Sequence, residues 1–322
     1  MRVLTGLQPS GRLHLGNYFA SIKQMVDEQN SGKSDMFMFI ANYHAMTSVS
    51  DASTLRQSSI EAAAAFMALG IDPGKCTFWM QSDVKEVLEL YWVLSQYTPM
   101  GLLERAHSYK DKVAKGIAAS HGLFSYPVLM AADILLFSAD VVPVGKDQIQ
   151  HVEIARDVAI KFNNEHGEIL RLPEHKVAES VAVVPGIDGA KMSKSYKNTI
   201  DIFCTQKELK KRTSSIVTDS TPLEEPKQWQ SCNVYALAKL FLDEAGQAEL
   251  RARYERGGEG YGHFKAYLAE LVWEYFAPAR EKYEYFMANQ GEIKAILASG
   301  AAKAREVALP LIEQIRAKTG IY

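Results

Sequence analysis

The order of apolar and polar positions divides the chain into two unlike halves. In the first, short apolar runs of β type alternate with stretches of helical spacing. Arg2–Leu7, Asp35–Ile40, residues 76–80 and Val141–Val144 read as buried strands. Between them, residues 15–29 repeat apolar side chains at helical intervals (Tyr18, Ile22, Met25, Val26). Residues 51–69 form an Ala-rich helix closed by Gly70, and 84–96, 130–137 and 148–163 read as helices. Strands alternating with helices predict a parallel sheet covered on both faces. After Ser195 no strand pattern is found, and 207–215, 234–250, 261–289 and 292–318 carry helical periodicity. The expected fold is therefore α/β: a Rossmann-type parallel-sheet domain over residues 1–190, then an all-helical C-terminal domain over 191–322. The last helix of that second domain is free to pack back on the first.

Composition changes this picture little. With 47% hydrophobic and 23% charged residues among 322, the chain has an ordinary globular make-up. A net charge of -2 does not advertise nucleic-acid binding, although a local basic face can serve an acidic protein. No apolar run approaches the ~20 residues that span a bilayer, so no membrane association is expected. The start, MRVLTGLQPSG, lacks the apolar core of a signal peptide. Cys76, Cys204 and Cys232 are odd in number and far apart, fitting neither a disulfide framework nor a metal site. Together these points predict a cytoplasmic enzyme without a protein-held metal.

Two segments carry chemistry. From Gly6 the chain runs GLQPSGRLHLGNY, a loop between the first strand and a helix. His14 and Asn17 stand three apart and so face one side of the first turn, where both could donate to phosphate oxygens. Gly16 would let the backbone approach a flat ring. A plain capped turn explains the same residues. The second segment, PGIDGAKMSKS (185–195), places Lys191 and Lys194 three apart, with Ser193 and Ser195 beside them. Two ammonium groups there could grip a leaving pyrophosphate; a solvated basic linker is the alternative.

Taken in this order, His14-Leu15-Gly16-Asn17 and the intact KMSKS of 191–195 resemble the paired signatures of class I aminoacyl-tRNA synthetases. GLQPSG, YHAMT (43–47), GLLER (101–105), YPVLMAADILL (126–136) and VPVGKDQIQHVEIARD (142–157) resemble the tryptophanyl subfamily of bacterial type, almost over the whole chain. The resemblance implies activation of L-tryptophan with ATP and Mg2+, transfer to tRNA(Trp), a helical anticodon-binding domain and a homodimer. It implies that His14, Asn17, Lys191 and Lys194 are catalytic. Around ATP it places Gln8, Pro9, Ser10, Gly16, Asn17, Gly145, Lys146, Asp147, Val183, Lys191, Met192, Ser193, Lys194 and Ser195. Tyr126 and Gln148 match positions that hold the substrate ammonium, and His44 one beside the indole.

An indole offers one N–H donor on a large apolar body, so its site needs one buried acceptor and apolar walls. Asp133, in the apolar run Met130 to Leu136, can supply the acceptor, or else a structural hydrogen bond. Met130, Val142, Val144 and Leu4 can supply the walls, or simply pack the core. Two departures from the subfamily stand out. Asn42-Tyr43 replaces a common Asp-Gln pair before His44, and Lys146 replaces an acidic residue in the ribose loop. Lys110 and Lys112, and the cluster Lys207, Lys210, Lys211 and Arg212, could meet phosphates or be solvated faces. The nearest rival is a tyrosyl enzyme of the same subclass, since a phenol also wants an acidic partner. More distant rivals are a small-molecule adenylyltransferase and a catalytically silent paralogue.

Overall fold

The computed structural model describes residues 1–9, 11–106, 120–177 and 183–321, Asp147 by its backbone alone. Five parallel strands form one sheet: β1 (Arg2–Leu7), β2 (Asp35–Ile40), β3 (Thr77–Met80), β4 (Val141–Val144) and β5 (Glu174–Val177). Their order is β3-β2-β1-β4-β5. The chain winds outward from β1 in one direction and then resumes at β4 on its other side. Such a reversal opens a crevice beyond the carboxyl ends of the two central strands, where doubly wound sheets bind ligands.

Around the sheet stand α1 (Leu15–Asn17), a π-helical turn (Tyr18–Ile22), α2 (Lys23–Ser31), α3 (Asn42–Ala45), α4 (Ala52–Ala68), α5 (Glu86–Ser95), α6 (Met100–Glu104), α7 (His121–Leu136) and α8 (Ile149–His166). The helical half holds α9 (Gln206–Ser214), α10 (Asn233–Ala238), α11 (Glu244–Arg256), α12 (Tyr261–Tyr275), α13 (Ala277–Ala288) and α14 (Gln290–Thr319). Residue alternation along the strands builds two cores. Val3, Met36, Met38, Phe78 and Val141 face one side, with α4 and the helical half. Leu4, Phe37, Phe39, Trp79 and Val142 face the other, with α5, α7 and α8.

The helix α14 belongs to both cores. Ile293 and Leu297 pack on the first side, and Ala304, Ala308, Ile312 and Ile315 on the second. It thereby wraps the β3 edge, and Gly300 lies so close that an added Cβ would fall 1.7 Å from the Phe78 carbonyl oxygen. An edge strand covered in this way is not free to pair with another chain. Glu86 and Glu89 on α5 hold the same helix through Arg305 and Arg316, at 2.6 Å each.

The structure departs from the sequence-based elements at several points. The stretch 15–29 is three pieces, because a π turn interrupts it, with Tyr18 edge-on to Tyr275 and Phe276 and Phe19 edge-on to Phe241. The helix expected at 130–137 begins at His121 and carries Pro127 inside it. The stretch 261–289 breaks at Phe276, where Pro278 opens α13. The stretch 234–250 breaks at Leu242, and Asp243 caps the following helix. The strand β5 has no counterpart in the sequence reading, as its residues EHKV are polar and mostly exposed.

Candidate active site

A cleft of about 550 Å³ opens at the carboxyl ends of β1 and β4. Its walls include Leu4, Gln8, His44, Tyr126, Met130, Asp133, Val142, Val144, Gly145 and Gln148. All eight residues expected around tryptophan thus meet in one space, together with Gln8 and Gly145 from the ATP set. Thr5, Gly6, Ser21, Met25, Phe39, Ala41, Thr47, Ile134 and Pro143 complete the lining. None of these was assigned to the site from sequence, although Gly6, Thr47, Ile134 and Pro143 lie inside the motifs that carry the resemblance. Gly6 is required where Phe39 closes the floor, because a Cβ there would lie 2.9 Å from the ring.

At the buried end stands Asp133, only 2% exposed, on α7. Both of its oxygens accept from Gln81 Nε2, at 2.9 and 2.8 Å, and Oδ2 also lies 2.8 Å from His44 Nε2. Gln81 follows β3 directly, and its Oε1 accepts from the Tyr43 N–H at 3.0 Å. Asn42 braces the same turn: its Nδ2 donates to Ser82 Oγ at 2.8 Å and its Oδ1 accepts from Ser82 N at 3.1 Å. The Asn42-Tyr43 departure therefore sits in a satisfied hydrogen-bond frame. At the other end, the Tyr126 hydroxyl is 2.7 Å from Nε2 of buried His151.

A second group lies around α1. His14 caps it: Nδ1 accepts from Asn17 N at 3.3 Å, while Asn17 Oδ1 accepts from His14 N at 3.2 Å. Burial, and then the nearby Lys194 ammonium, lower the His14 pKa to about 4. The KMSKS segment is seated on this turn. Met192 is buried, its Sδ accepts from Gly16 N at 3.3 Å, and a Cβ on Gly16 would lie 3.2 Å from the Met192 Cβ. Lys194 Nζ reaches the Gly11 loop, 4.0 Å from where a Cβ on Gly11 would stand. Although Lys194 is exposed as a whole, partial desolvation of its ammonium lowers its pKa, against a smaller opposing pull from Asp201.

The lysine loop is framed by a residue the sequence did not flag. Asn198 is 1% exposed; its Oδ1 accepts from Ser193 N at 2.7 Å, and its Nδ2 donates to Asp188 Oδ1 at 2.8 Å and Lys191 O at 3.1 Å. Gly186 leaves room for it, since a Cβ there would meet the amide at 2.3 Å. Arg212 donates to Thr199 O at 2.6 Å and to Lys197 O, so it anchors this loop instead of joining a solvated basic cluster. Lys207, Lys210 and Lys211 are exposed. Lys191, Ser195, Lys146 and Val183 also stand exposed and Pro9 is buried, and none of the five lines the cleft. Ser10, Lys110 and Lys112 lie outside the described residues, as does the Asp147 side chain.

The family model of class I tRNA synthetases for W and Y matches residues 1–277. The chain belongs to this family. A tryptophan–tRNA ligase of Campylobacter jejuni is 69% identical over 321 residues, covering 100% of both chains. One from Fusobacterium nucleatum is 50% identical, covering 99% of this chain and 98% of its own. The crystal structure of the C. jejuni tryptophanyl-tRNA synthetase complexed with ADP and tryptophan matches with a TM-score of 0.97, over 99% of this chain and 100% of that one. Within the class I synthetases the chain thus goes with the tryptophan enzymes, and the tyrosyl alternative is not favoured.

Proposed function

We propose that the chain activates L-tryptophan with ATP and transfers it to the 3′ end of tRNA(Trp). The observation that carries this reading is one cleft at the sheet's switch point with a buried carboxylate at its end, beside a KMSKS loop seated on the α1 turn that follows β1. In the first step a carboxylate oxygen of tryptophan attacks the α-phosphorus of MgATP. The bond to the β-bridging oxygen breaks, giving tryptophanyl-adenylate and pyrophosphate. In the second, a terminal ribose hydroxyl of tRNA attacks the acyl carbon and AMP leaves. No side chain acts as nucleophile, so catalysis is positioning and charge stabilisation.

His14 is neutral above about pH 4, and its Nδ1 is an acceptor; the ring proton therefore sits on Nε2, which donates to phosphate. The Asn17 carbonyl oxygen accepts from His14 N, which leaves its NH2 as a further donor. Lys194 and Lys191 follow the charge onto pyrophosphate, with Ser193 and Ser195 donating beside them. Gln8, Pro9, Ser10, Gly16, Gly145, Lys146, Asp147, Val183 and Met192 surround the nucleotide. Asp133 takes the indole N–H; Leu4, Met130, Val142 and Val144 enclose the ring with His44; Tyr126 and Gln148 hold the ammonium.

Residues 1–190 serve as the catalytic domain, and 191–322 as the KMSKS loop and anticodon-binding domain. Two copies pair in the cytoplasm. Leu88 and Trp92, one turn apart on α5 and 40% and 67% exposed, support the pairing. Among the described residues no helix is long and apolar enough to cross a membrane.

The test is amino-acid-dependent ATP–pyrophosphate exchange, with tryptophan and tyrosine compared and Asp133→Ala alongside. Exchange with tryptophan alone, lost in the variant, is expected. Exchange with tyrosine would overturn the substrate, and none with either would overturn the enzyme.

A further inference from the structure

The acceptor at the end of the cleft is not held by the cleft itself. Gln81 does not line it, is 2% exposed, and reaches the lining through its hydrogen bonds to Asp133. Its amide has only one possible orientation. The Tyr43 backbone N–H, 3.0 Å from Oε1, can only donate, so Oε1 faces Tyr43 and the NH2 faces Asp133. An amide NH2 cannot accept a proton, so both carboxylate oxygens must be acceptors toward Gln81.

A carboxylate has about four lone-pair sites. Gln81 engages one on each oxygen, and His44 Nε2 engages another on Oδ2. One site on Oδ1 is left. An indole has a single N–H and no lone pair to offer, so the pocket's remaining capacity matches one donor. A side chain bearing an acceptor there would meet an oxygen with nothing to give it, and one lacking a donor would leave the last site unfilled.

We propose that Gln81 is the positioning residue that sets indole specificity, by fixing Asp133 as an acceptor with one free site. The proposal rests on the reading of Asp133 as the indole acceptor. Its placement on the chain is also informative. Gln81 is the first residue after β3, and Asn42 and Tyr43 follow β2, so the ends of these two neighbouring strands are tied together beside Asp133.

The test compares tryptophan with an analogue carrying sulphur in place of the indole N–H, in ATP–pyrophosphate exchange. Wild type, Gln81→Met, Gln81→Glu and Asp133→Ala are measured together. Gln81→Glu keeps the acceptor for Tyr43 and removes the amide donors; Gln81→Met removes both at similar size. Each is expected to raise KM for tryptophan about 10- to 100-fold, the worth of a hydrogen bond to a charged group. The KM for the sulphur analogue should move far less, and the KM for ATP should stay within about twofold, a split that a merely loosened fold would not give. Folding is checked by thermal melting of each variant. If both Gln81 variants fold and keep the wild-type preference for tryptophan over the analogue while Asp133→Ala loses it, the proposal is overturned and the Asp133 reading stands. If Asp133→Ala also keeps the preference, the Asp133 reading falls and the proposal with it.

Discussion

At the scale of single residues, chemistry here depends on which atoms are already engaged. His14 illustrates this. Sequence alone could mark it as a phosphate donor, but not which nitrogen faces the ligand. The cap assigns the acceptor nitrogen, because Nδ1 accepts from Asn17 N, and this leaves the ring proton on Nε2. Burial and Lys194 hold its pKa near 4, below the ordinary 6.5, so the site prefers the neutral ring. The unfolded chain then binds the proton more readily between these values, and stability falls as pH drops from about 6.5 towards 4. Above 6.5 this contribution is complete. Accordingly His14→Ala should remove the acid-side dependence that His14 contributes to the melting temperature between pH 6.5 and 4. The same variant should lower kcat for exchange about 100-fold, with KM for tryptophan little changed, as befits a group that meets developing phosphate charge. An unchanged kcat would make His14 a helix cap and nothing more.

At the scale of elements, the sequence was legible where one element carries its own pattern. The four strands β1 to β4 are apolar runs, and each lies within a residue of its expected place. The fifth strand is a charged edge strand, whose polarity keeps it from pairing further and also hides it from a pattern reading. The start of α7 was concealed by Pro127, usually a helix breaker, and this hid the fact that Tyr126 and Asp133 share one helix. The Rossmann-type sheet and the residues that gather in the cleft were thus foreseeable; the supports behind them were not. Asn198 is the clearest case, since its partners Asp188, Lys191 and Ser193 become neighbours only when the loop folds back. Replacing Asn198 by Ala should free the KMSKS segment and raise KM for ATP about tenfold or more, with KM for tryptophan unchanged; Gly186→Ala should mimic it through the clash at 2.3 Å. Equal losses for both substrates would show a general defect instead. Gly300 tests the strut. Gly300→Ala places a Cβ on the Phe78 backbone, and overpacking of this kind costs about 1–3 kcal/mol, visible as a lower melting temperature.

At the scale of the molecule, the long helix α14 and the helix α5 divide two tasks. One face of α5 is occupied within the chain: Glu86 and Glu89 hold α14, and Val87, Leu90 and Leu94 fill the core. Its opposite face presents Leu88 and Trp92 to solvent. A tryptophan 67% exposed is costly to leave wet, and a two-fold axis would let the same patch cover itself. Pairing through α5 would set the axis one helix away from the cleft, because α5 packs directly on α7, which carries Tyr126, Met130 and Asp133. Light scattering should then find twice the 35.9 kDa chain mass at micromolar concentration. The double variant Leu88→Lys, Trp92→Lys places four like charges about the axis and should run at the single-chain mass. Its far-UV spectrum should be native, since neither side chain belongs to the core. If the dimer also steadies α7, the variant's KM for tryptophan rises as well, and wild type diluted below its dimer dissociation constant reproduces that rise. A wild type that scatters as one chain at all concentrations removes the pairing, and leaves Trp92 as an exposed ring on a complete monomer.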